Sequence, residues 1–219
     1  MQASDIIIPL SFVIVLGGMA WWITSAKKRG HQARGRLAEL NGWQYEAGSG
    51  VYKIGDDKEQ ANILYRVSGS LPDGKSWRME VRMRMEVDQT GMSESTVWQM
   101  PSGDMTVLLM QRSSVPVSTE MKTAVLRKNG INIDVGKLHT VEIASLSTAS
   151  DPYEVYADER EKARARLNPV TPFIAYFSRA KARPSVCMTP GNTAVRLPLC
   201  LEKPADMEAL IRLGLALCS

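Results

Sequence analysis

The chain predicts an α+β fold: an N-terminal transmembrane helix, then a domain with a mainly antiparallel sheet, packed helices and a C-terminal helix. Three observations lead there. Residues 6–24 carry no charge, and residues 75–87 alternate between apolar and charged side chains. Strand-like segments cluster apart from helical ones instead of alternating with them, which argues against a parallel βαβ sheet.

The uncharged run, Ile6 to Thr24, reads IIIPLSFVIVLGGMAWWIT. As a helix it is about 28 Å long, close to the hydrocarbon thickness of a bilayer. Trp21 and Trp22 sit at one end, where indole rings favour the interface, and Lys27, Lys28, Arg29, Arg34 and Arg36 follow as a stop-transfer flank. A cleaved signal peptide would place basic residues before the run, whereas the leader MQASD has one acid and no base. Basic flanks resist translocation. The expected arrangement is therefore a lipid-embedded anchor over 1–25 with the N-terminus outside, a basic juxtamembrane helix over 26–42, and a cytoplasmic domain over 43–219. Gly17-Gly18 within the run admits close helix–helix approach, and with it an oligomer.

Charge follows the same division. The chain has 27 basic and 23 acidic residues. Five of the bases lie in the 27–36 cluster and one acid, Asp5, precedes it, which leaves 22 of each from Leu37 onward. A neutral domain lacks the basic footprint of nucleic-acid binding. The cluster itself is accounted for by topology and by attraction to anionic headgroups.

Along the domain, His31–Asn41 reads as a helix stopped by Gly42. Trp43–Glu46 alternates as a short strand, and a Gly-Ser-Gly loop follows at 48–50. Ile63, Tyr65, Val67 and Leu71 share one alternating face. After a Leu71-Pro72-Asp73-Gly74 turn, Trp77, Met79, Val81, Met83, Met85 and Val87 alternate with Arg78, Glu80, Arg82, Arg84 and Glu86. Only a strand puts two such sets on opposite faces, one buried and one wet. The charged face reads as a solvated surface with cross-strand ion pairs. Strands at 95–100 and 105–112, turned at Pro101–Asp104, complete an expected four-strand meander.

Ser118–Asn129 reads as a helix capped at Ser118 or Thr119, Leu138–Ala144 as a candidate strand, and Tyr153–Tyr156 as a short strand. Asp158–Leu167 is helical; Asn168-Pro169 breaks it, and Thr171 caps a second helix with Pro172 in its first turn. Pro184–Met188 and Thr193–Leu199 form a hairpin about Thr189–Asn192. Lys203–Leu217 closes the chain as a helix whose buried stripe is Met207, Leu210, Ile211 and Leu215.

Reactive constellations are sparse. Three cysteines (Cys187, Cys200, Cys218) make no disulfide framework and no zinc spacing, although a Cys187–Cys200 bridge stays open. His139 is the sole histidine after the juxtamembrane helix, and a nucleophilic Cys187 would need the fold to bring His139 to it. The acid groups Asp56-Asp57 and Asp158-Glu159-Glu161 lack companions for a metal or glycosidase site. No phosphate-binding, hydrolase-elbow or zinc-protease motif occurs, and nothing calls for a cofactor.

Tyr153, Val155, Tyr156 and Asp158, then Ala163, Leu167, Asn168 and Pro169, form a segment (YEVYADEREKARARLNP) similar to one in bacterial single-pass membrane-anchored families of unknown function. Arg36–Leu40 followed by Gly42-Trp43 and Tyr45 is similar in style. The resemblance implies a bacterial inner-membrane protein and carries over no catalytic residue. The expected function is a non-catalytic protein-interaction domain. The alternatives are a lipid-sensing module built as a pleckstrin-homology-like sandwich, or an enzyme of unrecognised class using His139, Cys187 or an acidic residue.

Overall fold

The computed structural model describes residues 4–48, 51–54, 59–85, 92–128, 131–148, 151–179 and 182–218. Helix α1 (Ser4–Leu40) leads into strands β1 (Gln44–Ala47), β2 (Val51–Ile54), β3 (Glu59–Ser70), β4 (Ser76–Met85), β5 (Met92–Met100) and β6 (Val107–Gln111). Helix α2 (Thr119–Lys128) follows, then the short strands β7 (His139–Thr140) and β8 (Ser147–Thr148), and β9 (Asp151–Ala157). Helices α3 (Arg160–Leu167) and α4 (Thr171–Arg179), the hairpin β10 (Ser185–Thr189) and β11 (Asn192–Leu197), and helix α5 (Pro204–Cys218) complete the chain.

The strands form one antiparallel sheet in the order β1-β3-β4-β5-β11-β10-β6-β9-β7, with β2 also on β3 and β8 on β9. The α+β class with an antiparallel sheet is as expected. The first three long strands are the anticipated meander. Leu71 N donates to Lys75 O at 2.8 Å and Gly74 takes φ +84°, as a proline–glycine turn requires.

The fourth strand of that meander is displaced. β5 pairs with β11, and β6 pairs with β10 and β9. The Pro101–Asp104 segment does not turn a hairpin; it passes the tip of β10–β11, where Gly191 N donates to Gly103 O at 2.9 Å. A Cβ on Gly103 would stand 2.2 Å from the Thr189 carbonyl, so only glycine permits that crossing. A bulge in β3 between Ile63 and Tyr65 corrects a second expectation, because it sets Ile63 opposite Arg82 and away from the face of Tyr65 and Val67. Thr171 is helical, at φ −50°, and not a cap; its hydroxyl donates back to Leu167 O, so α3 and α4 continue through a tight turn at Asn168–Val170.

One sheet face is the core. Val67, Met79, Trp98, Val195, Val186, Val107 and Val155 line it, and α3, α4 and α5 cover it through Leu167, Ile174, Phe177, Leu210 and Leu217. On α5, Leu213, Gly214 and Leu217 are buried while Leu215 is half-buried. Gly214 explains the shift, since a Cβ there would lie 2.2 Å from the Trp98 ring: α5 seats directly on the indole. Among the described residues, the opposite face is covered over its β6–β9 half, where α2 and residues 131–138 close a smaller cluster around Leu108, Ile133 and Val135.

The expected membrane anchor is corrected. Among the described residues no helix is long and apolar enough to cross a membrane. α1 runs unbroken from Ser4 to Leu40 and carries Lys27, Lys28, Arg29, Arg34 and Arg36 in its second half. The side chains of 6–17, which make up most of the Ile6–Thr24 run, lie outside the described residues. The single-pass topology and the inner-membrane placement with an outside N-terminus fall with that span. Nor is the 26–42 stretch merely a collar, because Ala38 is wholly buried in the core.

Candidate functional site

Period-two alternation in β4 aims Arg78, Glu80 and Arg82 away from the core. Register then builds a row across the sheet: Glu46, Arg66, Glu80, Val97, Arg196 and Ser185 stand opposite one another on β1, β3, β4, β5, β11 and β10. Arg78 lies one row away, opposite Ser68 and Gln99. Among the described side chains, four arginines (Arg66, Arg78, Arg82 and Arg196) thus gather on the β3–β4–β5–β11 half of the face, beyond the cover that α2 provides.

Glu80 occupies their centre and, contrary to the wet face expected from sequence, its side chain is only 3% exposed. Arg66 reaches Oε1 at 2.9 Å through Nη2, Arg78 reaches it at 3.2 Å through Nε, and Arg82 donates to Oε2 at 3.0 Å through Nε. Burial by itself would raise the Glu80 carboxyl. Hydrogen bonds from Arg82 and Arg66, with the charges of Arg82 and Arg78, outweigh it and hold the group below the usual carboxylate range. Arg66 also meets Glu46 at 3.3 Å.

Arg196 is different. Its Nε is buried and has no hydrogen-bond partner. It sits where the arginine half meets the covered half, with Cys187 one row over on β10. Val97, between Glu80 and Arg196 in register, is buried beneath these long side chains. Arg78 keeps 45% of its side chain exposed. The other buried orphan among the described residues, Trp98 Nε1, is inside the core.

The residues singled out by sequence scatter. Trp21, Trp22, Lys27, Lys28, Arg29 and Arg36 are exposed on α1. Arg34 is not: it is buried, donates to Glu202 O at 2.6 Å and to Tyr45 Oη at 3.4 Å, and lies 4.6 Å over the Tyr65 ring. It fastens α1 to the domain. His139 shares its row with Ala157, Val107 and Met188 on the core side, while Cys187 shares one with Leu108 and Tyr156 on the other side. Opposite faces and three strand spacings, about 14 Å, keep the pair apart.

The three cysteines are free thiols, which closes the question of a Cys187–Cys200 bridge. Burial pushes all three upward in pKa, Cys200 to about 12 with help from Glu94, and a protonated thiol is a poor nucleophile. Asp56 and Asp57 lie outside the described residues. Asp158 accepts from Thr106 N at 2.8 Å, and Glu161 pairs with Arg164 at 2.7 Å. No metal-ligating cluster occurs among the described residues. A cavity of about 350 Å³ lies between the 101–104 crossing and the end of α5, lined by Lys75, Asp104, Arg166 and Cys218. Its acid is already paired with Lys162 at 3.0 Å.

Arg66 and Arg196 were not singled out from sequence. The signal was there for Arg196, since it alternates with Thr193, Val195 and Leu197 and must face away from them. Comparison of the chain with family models, curated proteins and solved structures found no match.

Proposed function

We propose that the chain acts by binding and not by catalysis, and that a partner protein docks on the arginine-lined half of its sheet. The observation that carries this reading is the Arg196 guanidinium, whose buried Nε lacks a hydrogen-bond partner on the part of the face that α2 leaves uncovered. A buried donor without an acceptor costs about 1–3 kcal/mol. Arg196 as a whole is half-buried, so a docked partner meets the outer part of its guanidinium, and it shields the surrounding arginines from solvent, which strengthens each of their interactions. The surface is broad, and a shallow charged face suits a protein better than a small substrate, which needs a concave pocket.

The test is cross-linking of the full chain in its native extract, comparing wild type with the Arg78→Glu/Arg196→Glu double variant. A protein cross-linked to residues of β4, β5 or β11 in the wild type is expected to be lost from the variant. Retention of the same partner by the variant would show that docking occurs elsewhere.

A further inference from the structure

Resting on that reading, we infer that the docked segment is acidic and extended, with carboxylates spaced four residues apart taken by Arg78 and Arg196 on either side of β5. The two arginines flank β5 one row apart, opposite Gln99 and Val97 respectively. Two strand spacings across and two residues along place their Cα atoms about 12 Å apart. In an extended chain, side chains at i and i+4 lie on one side and about 13 Å apart. One segment laid over β5 therefore presents a carboxylate to each guanidinium.

The alternatives fit less well. A single small anion would need several guanidinium groups converging on one point. That point exists, where Arg66, Arg78 and Arg82 meet, and the Glu80 carboxylate already fills it. The remaining donors belong to Arg196 and to the exposed end of Arg78, and they are too far apart to share one ion. Single-stranded nucleic acid needs aromatic platforms for its bases. The described side chains among these arginines are instead Ser68, Val97, Gln99 and Ala194. The charge fits an acidic segment: among the described side chains, four arginines face Glu80 and Glu46, a surplus of two positive charges, within a domain that is neutral from Leu37 onward.

The probe is a fluorescein-labelled octapeptide alternating threonine and glutamate, titrated with the full chain and read by anisotropy. Its controls are the glutamine counterpart, a single-stranded RNA octamer and anionic vesicles. The glutamate peptide is expected to bind, more weakly as salt rises, and the glutamine peptide to bind at least about tenfold more weakly. Arg78→Gln and Arg196→Gln are each expected to weaken binding by about five- to tenfold, with thermal unfolding checked to show that both variants fold. Equal binding by wild type and both variants overturns the inference, as does tighter Arg196-dependent binding of RNA or vesicles. If the octapeptide fails while the cross-linked partner is still lost from the charge-reversed chain, the acidic chemistry is wrong and the docking surface stands. If neither responds to the substitutions, the surface itself is wrong.

Discussion

Glu80 is one carboxylate held by three guanidinium groups, and its neighbours would repel one another without it. Truncation to alanine removes the counter-charge and leaves Arg66, Arg78 and Arg82 crowded together. Breaking a fully buried ion pair costs about 3–5 kcal/mol. Here the arginines keep some water contact, so Glu80→Ala is expected to cost about 2–3 kcal/mol, read from urea unfolding. The pH dependence follows from the sign of the shift. A carboxyl depressed in the folded state contributes stability that is present above its ordinary value of 4.5 and is lost as pH falls through its lower folded value. Acid unfolding of Glu80→Gln should therefore show a shallower loss than wild type below about pH 4.5. Identical acid limbs for the two proteins would contradict the role given to this group.

α1 is 37 residues long, about 55 Å, yet its described contacts with the domain gather near its C-terminal end. Gly42, at φ +70°, ends it, with Trp43 N returning to Ala38 O at 2.8 Å. Arg34 supplies a charged hydrogen bond to the Glu202 carbonyl, and its guanidinium lies over Tyr65. Arg34→Ala is expected to destabilise that docking by about 2 kcal/mol, seen as faster hydrogen exchange in residues 35–41 with little change in the β4 amides. His31, beside Tyr45, adds a pH term. Burial first, then the charges of Arg34 and Lys27, lowers its pKa. The neutral ring thus contributes stability that is present above its ordinary 6.5 and fades as pH falls through the lower folded value. Protection of the same segment against exchange, taken relative to the intrinsic amide rate at each pH, should fall below about pH 6 in wild type and much less in His31→Gln.

The whole molecule is shaped by one insertion. The β10–β11 hairpin lies between β5 and β6, so neighbours in sequence are separated in the sheet and residues about 100 apart pair instead, as with Val97 and Arg196. Closing such loops precedes the contacts that reward it, which slows folding. Refolding followed by tryptophan fluorescence is expected on the millisecond-to-second scale, and a microsecond phase carrying the full amplitude would contradict this topology. The same insertion presses Gly103 against Thr189, so the β5–β6 connection is a packed crossing and not a free loop.

What the amino-acid order determined by itself was local. Strict alternation over 77–85 made β4 a strand and set which side chains leave the core; the Leu71–Gly74 turn joined it to β3; Ser118 and Gly42 bounded helices. Each depends on residues within a few positions of one another, where steric and hydrogen-bonding preferences act directly. The tertiary structure alone decided the rest. The β3 bulge moved Ile63 to the arginine face, and Arg34 left the basic cluster for the core. Glu80 was enclosed by arginines from two strands, and Arg196, more than a hundred residues away in sequence, was brought to the same surface without a partner for its Nε. The charged face was legible as charged, but its burial and its unbalanced arginine were not, because both arise from strand order, which no local pattern encodes.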